Sequence, residues 1–245
     1  MEDKKYFKFY EVENEHWWFL TRRKIIADII DKKVNKSKNS ILLDFGCGTG
    51  GVLDELSKKY ITYGADMSEL AIGFCRKRNL NNIFTNDHFF NNLEYKGKFD
   101  IITALDVIEH VDEDKELLKR LKDLLADDGS IVITVPAYQF LFGPHDITNM
   151  HKRRYTRKTF KRVVEDAGYK IYKLSYFNTI VAPLIIFRRL LVKILGEQDE
   201  HSADDDIPNK FFNTVLKFIF GLEKYLLPYI SMPFGISILC VAKKK

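Results

Sequence analysis

Four acids in this chain follow short apolar runs. Asp44 comes after Ile41-Leu-Leu, Asp66 after Tyr60-Ile-Thr-Tyr-Gly-Ala65, Asp87 after Asn82-Ile-Phe-Thr85, and Asp106 after Phe99-Asp-Ile-Ile-Thr-Ala-Leu105. Behind the first lie Gly46, Gly48, Gly50 and Gly51. Carboxylates at the carboxyl ends of successive strands line one crevice of an open α/β sheet. Glycines at its mouth let the backbone approach a ligand closely, and an acid one βαβ unit later can accept both hydroxyls of a ribose. The glycines also satisfy the dinucleotide spacing G-x-G-x-x-G. Four acids, however, repel a pyrophosphate and suit a ligand that carries a sulfonium and an ammonium group. The competing reading is that one or two of them only cap the helices that follow.

These side chains need a parallel sheet to hold them, and the periodicity supplies one. Strands are expected at 41–45, 60–65, 82–85, 99–105, 130–135 and 169–176, with helices at 50–59, 68–79, 113–126 and 156–167. The last apolar run, Ser237-Ile-Leu-Cys-Val-Ala242, reads as an antiparallel closing strand. The expected fold is therefore α/β: a Rossmann-like, seven-stranded, mostly parallel sheet. Residues 1–37 form a helical cap on this reading, 38–176 with 234–245 form the core, and 177–233 form a helical insertion before the last strand.

That insertion leaves from the carboxyl end of a strand, so it should roof the crevice and select the substrate. Two hydrophobic helices are expected in it, separated by the acidic loop Glu197–Asp206. Pro183 suits the first turn of the first helix, which carries Arg188, Arg189 and Lys193 in one sector. The second helix runs from about Lys210 to Leu227, with Lys210, Lys217, Lys224, Asn213, Thr214 and Gly221 in a narrow polar stripe. The rest is apolar apart from Glu223, more than one packed face requires. The cover is either protein (the first insertion helix, the N-terminal helix with Trp17 and Trp18, or a second subunit) or a membrane surface or lipid-like substrate.

Several stretches together resemble the class I S-adenosylmethionine-dependent methyltransferases. They are Leu43-Asp-Phe-Gly-Cys-Gly-Thr-Gly50, Gly64-Ala-Asp-Met-Ser68, Phe99-Asp-Ile-Ile102, Leu105-Asp-Val-Ile-Glu-His-Val111 and Gly129-Ser-Ile-Val-Ile-Thr-Val-Pro136. Asp-Val-Ile-Glu-His is similar to the branch that holds the ubiquinone-biosynthesis O-methyltransferases and uncharacterised bacterial relatives, as is Glu15-His-Trp-Trp-Phe-Leu-Thr-Arg-Arg23. The resemblance implies S-adenosylmethionine as cofactor. Gly46, Gly48 and Gly50 then admit its methionine and ribose, beside Asp44 at the end of the first strand. Asp66 holds the ribose hydroxyls and Met67 packs on the adenine. Asp87 accepts from the adenine amino group, with His88 on the same side, while Leu105 and Asp106 close the floor. An N-terminal arginine, Arg22 or Arg23, meets the cofactor carboxylate in relatives, and Arg23 is the one assigned here. Trp17 or Trp18 could cap the cationic centre or simply pack.

Methyl transfer from a sulfonium is an in-line displacement that mainly needs alignment and exclusion of water. A hydroxyl acceptor also needs a base. His145, in Phe142-Gly-Pro-His-Asp146, is the candidate, with Asp146 to orient it; a packing histidine is the alternative. His151, Arg153, Arg154 and Tyr155 are further candidates for substrate contact. In ubiquinone-type relatives the pattern acid-x-x-Glu-His is associated with a divalent metal. Here Asp106 shortens the first ligand, and joint use of the adjacent Glu109 and His110 needs an irregular turn. On the competing reading Asp106 borders the methionine end of the cofactor and Glu109 and His110 shape the next helix start, so no metal ligands are assigned.

The 245 residues suffice for one α/β domain with added covering elements. Cys47, Cys75 and Cys240 are dispersed and lack ligand spacing, which suggests a reducing compartment. The charged start does not read as a signal peptide, and no apolar run reaches the length of a membrane span. A cytoplasmic location is the expectation, with peripheral contact at the inner face of the membrane left open. Formal charge is +5, with a basic run between Lys152 and Lys173. That run is either a solvated helix face or a site for an anionic substrate or acidic lipid. No nucleic-acid-binding module accompanies it. The methyl acceptor is expected to be small or lipid-linked, and the oligomeric state stays open. Two other readings remain: a cofactor-binding regulatory subunit without turnover, and a nicotinamide oxidoreductase.

Overall fold

The computed structural model describes residues 3–34, 36–187 and 206–245. A seven-stranded sheet in the order β3-β2-β1-β4-β5-β7-β6 forms its centre. The strands are β1 Ile41–Phe45, β2 Ile61–Asp66, β3 Ile83–Thr85, β4 Phe99–Leu105, β5 Leu125–Pro136, β6 Tyr169–Phe177 and β7 Ser237–Lys244. Neighbours among the first five pair in parallel, and β7 runs antiparallel to both β5 and β6. This is the Rossmann-like sheet that the sequence leads one to expect. Its central strands are near-continuous apolar runs because both faces are covered; Leu42, Leu43, Ile101 and Ile102 are fully buried. The winding reverses between β1 and β4, which opens a crevice at their carboxyl ends.

Among the described residues eight α-helices precede the insertion: α1 Asp3–Val12, α2 Trp17–Ile29, α3 Gly51–Ser57, α4 Glu69–Lys77, α5 Asn86–Asn91, α6 Asp114–Leu124, α7 Pro144–Thr148 and α8 Arg157–Asp166. The N-terminal cap contains α1 and α2, and α2 widens into a π-type turn over Ile30–Val34. Ile25, Ile26 and Ile29 of α2 are fully buried in the core, each contributing about 1.5–3 kcal/mol through burial. Phe7 and Tyr10 of α1 pack on Phe74 of α4, with centroids at 5.3 and 4.5 Å. The cap thus reaches the carboxyl ends of β2 and β4, with Tyr6 at Asp66 and Arg22 at Asp106.

In the insertion, residues 182–187 are helical, as Pro183 suggests. Arg188, Arg189, Lys193 and all of the acidic loop except Asp206 lie outside the described residues. The expected second helix is divided into α9 Lys210–Gly221 and α10 Glu223–Leu226. Glu223 at the start of α10 is fully buried and accepts the backbone N–H groups of Thr179 and Ile180 at 2.6 and 2.9 Å. Part of the apolar surface of α9 meets α2. Phe220 packs on Trp17, and Asn213 accepts the Trp17 N–H at 2.8 Å while donating to the Glu15 carbonyl at 2.9 Å. Phe211, Phe218, Tyr225 and Tyr229 remain exposed.

Candidate functional site

β1 delivers Asp44 to the crevice and β4 delivers Thr103 opposite it, in register. The Thr103 hydroxyl donates to Asp44 Oδ1 at 2.6 Å. Burial pushes the Asp44 carboxyl up to about 6, with Asp66 adding to the rise and Thr103 and Arg22 opposing it. At the end of β2, Asp66 accepts the Gly48 N–H through Oδ2 and the Ser68 N–H through Oδ1, both at 2.9 Å. The glycine turn and the start of α4 thus fix one carboxylate between them. The Tyr6 hydroxyl of α1 also reaches Oδ1, at 3.4 Å.

Gly46, Gly48 and Gly50 all have positive φ, 78°, 55° and 87°. A β-carbon on Gly46 would sit 2.4 Å from Val107 Cγ2, so close packing demands glycine there. One on Gly48 would meet no atom within 4 Å, so the space beside Gly48 is open to a ligand. Met67 is 80% exposed at the rim. Asp87 sits exposed in the first turn of α5. His88 stacks on Phe84 at 4.0 Å, and its Nε2 is 3.0 Å from the Tyr95 hydroxyl.

Leu105 ends β4, and Asp106 directly after it adopts a left-handed φ of 58°. Asp106 accepts from Arg22 at 2.6 Å and from the Thr134 hydroxyl at 3.0 Å. Trp18 lies 5.0 Å from the Arg22 guanidinium. Arg23 is turned elsewhere: it donates to the carbonyls of Glu13 and Gly51 and to Asn14 Oδ1, which ties the α1–α2 turn to the glycine loop. Arg22, and not Arg23, reaches the acid rim. Glu13 accepts from Thr49 and Arg78, each at 2.6 Å. Sequence reasoning missed Tyr6, Glu13, Thr49 and Thr134; helical periodicity marks where α1 lies but not which side chains it turns inward.

On the acceptor side, α7 carries His145 and Asp146, but the two do not pair. Asn149 holds His145, with Nδ2 3.0 Å from Nε2. Asp146 is fully buried. Its Oδ1 meets His151 Nδ1 and Arg154 Nε, both at 2.8 Å, and its Oδ2 accepts the Gly143 N–H at 2.9 Å. Burial alone would raise this carboxyl, yet His151, Arg154 and Gly143 together hold it well below the usual range. Arg153 and Tyr155 both reach Asp114, at 3.4 and 2.8 Å. The 3-10 turn Ile108–His110 supplies the irregular turn that joint use of Glu109 and His110 needs. It brings them against His151, whereas Asp106 is drawn to Arg22.

A family profile described as a methyltransferase domain matches residues 17–174. Norajmaline N-methyltransferase of Rauvolfia serpentina is 31% identical over 123 residues, which cover 47% of this chain and 41% of that protein. Ubiquinone biosynthesis O-methyltransferase of Glaesserella parasuis is 34% identical over 119 residues, covering 43% of this chain and 49% of that one. The matched part thus spans less than half the length of either relative. A solved S-adenosylmethionine-dependent methyltransferase from Archaeoglobus fulgidus has the same fold, with a TM-score of 0.54, 20% identity and coverage of 91% and 94%. With its sheet order, its glycine turn and this match over most of the sequence, the chain belongs to the methyltransferase domain family, the class I S-adenosylmethionine-dependent methyltransferases.

Proposed function

We propose that this chain transfers the methyl group of S-adenosylmethionine to an oxygen of a small or lipid-linked acceptor. The observation that carries the cofactor half is the Asp66 carboxylate, clamped by the Gly48 and Ser68 N–H groups beside the open space at Gly48. On this reading Asp66 takes the ribose hydroxyls, with Met67 and Asp87 at the adenine and His88 behind them. Gly46, Gly48 and Gly50 admit the methionine and ribose past Asp44, and Leu105 and Asp106 form the floor. Arg22 replaces Arg23 as the arginine beside the amino-acid end of the cofactor, because its guanidinium already lies on Asp106.

The transfer needs an acceptor oxygen held in line with the sulfonium in a dry site. The oxygen forms its bond to the methyl carbon as the carbon–sulfur bond breaks, leaving the electron pair on sulfur. We assign the acceptor proton to His145 at the carboxyl end of β5, with Asp146 acting indirectly through His151 and Arg154. The insertion supports a lipophilic acceptor: an exposed aromatic stripe of Phe211, Phe218, Tyr225 and Tyr229 runs beside Lys210, Lys217 and Lys224. Among the described residues no helix is long and apolar enough to cross a membrane. Such a stripe suits the surface of the inner leaflet, with lysines at the headgroups.

A survey with radiolabelled methyl donor over cell extract and lipid fractions tests the reading. Label transferred to an oxygen of a lipid-extractable or small compound, and lost with His145→Ala while cofactor binding persists, is the expected result. Label on nitrogen would turn the assignment toward amine acceptors, and binding without any transfer would favour a regulatory subunit.

A further inference from the structure

The resemblance to the ubiquinone-type relatives, where acid-x-x-Glu-His is associated with a divalent metal, would make Asp106, Glu109 and His110 the ligands. That set does not assemble. Asp106 is fixed by Arg22 and Thr134. Glu109 and His110 instead face His151, which follows His110 by 41 residues. One ligand atom from each of Glu109, His110 and His151 lies within 4.8 Å of the others.

Three features of this cluster point to a ligand. Glu109 is fully buried, and neither of its carboxylate oxygens has a hydrogen-bond partner. A buried carboxylate without a partner is strongly unfavourable, and buried charges are normally paired or bound to a metal. Second, Asp146 takes His151 Nδ1 at 2.8 Å, which leaves Nε2 as the ring atom facing Glu109 Oε1, at 3.9 Å. A carboxylate behind an imidazole is how metal-binding histidines are oriented and made more basic. Third, the support is rigid. Asp146 is held by Arg154 and the Gly143 N–H, and the Lys152 N–H bonds the Glu109 carbonyl at 2.9 Å, which ties the two segments together.

We propose that Glu109, His110 and His151 bind a divalent transition-metal ion, with Asp146 positioning His151 and Asp106 outside the ligand set. Two imidazoles and one carboxylate favour zinc or a similar transition ion over magnesium, which prefers oxygen ligands. Three protein ligands leave at least one position open, as at catalytic and not structural metal sites. When bound there, the ion would supply Lewis acidity toward an acceptor oxygen. The proposal concerns metal binding alone, so it stands or falls separately from the acceptor reading.

The test uses the full chain, purified without a tag and stripped with chelator. Zinc and magnesium are titrated by calorimetry, and cobalt(II) is added as an optical probe. The expected result is one zinc per chain, magnesium binding at least 100-fold weaker, and visible cobalt bands without thiolate charge transfer. His151→Gln and Glu109→Gln should each weaken zinc at least 100-fold. Asp146→Asn should weaken it by about 10–100-fold, while Asp106→Asn leaves it within about threefold. The far-UV spectrum checks that each variant folds, and binding of S-adenosylhomocysteine gives a second check for the variants outside the cofactor floor. The cobalt spectrum of the unaltered chain tests the donor set even if a variant fails to fold. Absence of zinc binding, a preference for magnesium, or loss with Asp106→Asn but not with His151→Gln would each overturn the proposal.

Discussion

Arg22 on α2 and Asp106 at the end of β4 are 84 residues apart in sequence and 2.6 Å apart in space. This ion pair fastens the N-terminal cap to the floor of the cofactor crevice, and its neighbour Trp18 lies against the same guanidinium. Arg22→Ala leaves the partly buried Asp106 carboxylate with the Thr134 hydroxyl but no cation, a loss of about 1–3 kcal/mol. We expect the affinity for S-adenosylhomocysteine to fall by about tenfold or more. Arg23→Ala should act differently: it frees the α1–α2 turn and lowers stability, with a smaller effect on affinity. Calorimetry and urea unfolding of both variants separate the two roles.

Gly46 and Gly48 both have positive φ but different surroundings. Gly46→Ala brings a β-carbon to within 2.4 Å of Val107 Cγ2, so left-handed strain of about 1–2 kcal/mol adds to overpacking of about 1–3 kcal/mol. Gly48→Ala meets nothing within 4 Å and should carry only the strain. The prediction is that Gly46→Ala is the less stable protein, while Gly48→Ala keeps more stability yet loses cofactor affinity, because its methyl group enters the ligand's space. Melting temperatures and cofactor titration check this.

The Asp44 carboxyl, raised mainly by burial to about 6 from an ordinary value of 3.8, links the crevice to pH. Between those two values the folded chain holds a proton that the unfolded chain releases. Its contribution to stability is therefore fully present below pH 3.8 and lost as pH rises through about 6. A cationic cofactor selects the ionised form, so its affinity should move the other way. S-adenosylmethionine should bind about tenfold more weakly at pH 5 than at pH 7.5. In Asp44→Asn the pH dependence of both quantities should flatten over this window. An unchanged slope would mean that other groups govern it.

The exposed stripe of α9 and α10 gives a surface prediction. Flotation with vesicles rich in anionic lipid should recover the intact chain and lose most of it when Lys210, Lys217 and Lys224 are changed to Glu. At about 1 kcal/mol per lysine near such a surface, three reversals should reduce partitioning by at least 100-fold. Equal recovery of both proteins would remove the membrane from the account.

The residues that were legible in the sequence are those whose chemistry is also local punctuation. β1 and β4 have the expected bounds because an apolar run ends at an acid in each. The glycine turn and Asp66 were legible for the same reason. α5 was missed: it has six residues, and its preceding Thr85 makes no side-chain cap bond. β5 begins at Leu125, earlier than expected, since its polar start Ala-Asp-Asp-Gly-Ser carries no alternating pattern. The two misplacements at the site share one physical cause. Residues i and i+1 on a helix point about 100° apart. Hence Arg22 reaches Asp106 while Arg23 does not, and Asp146 meets His151 and Arg154 and not its neighbour His145. Sequence adjacency identified the segments, but the partners emerged only in three dimensions.

Calorimetry on the purified chain with S-adenosylhomocysteine, alongside a nicotinamide dinucleotide and the Asp66→Asn variant, tests the central claim most directly. The acid-lined crevice predicts saturable binding of one S-adenosylhomocysteine per chain, no uptake of the dinucleotide, and affinity at least about tenfold weaker once Asp66 is changed. Tight binding of the dinucleotide with indifference to S-adenosylhomocysteine would contradict it.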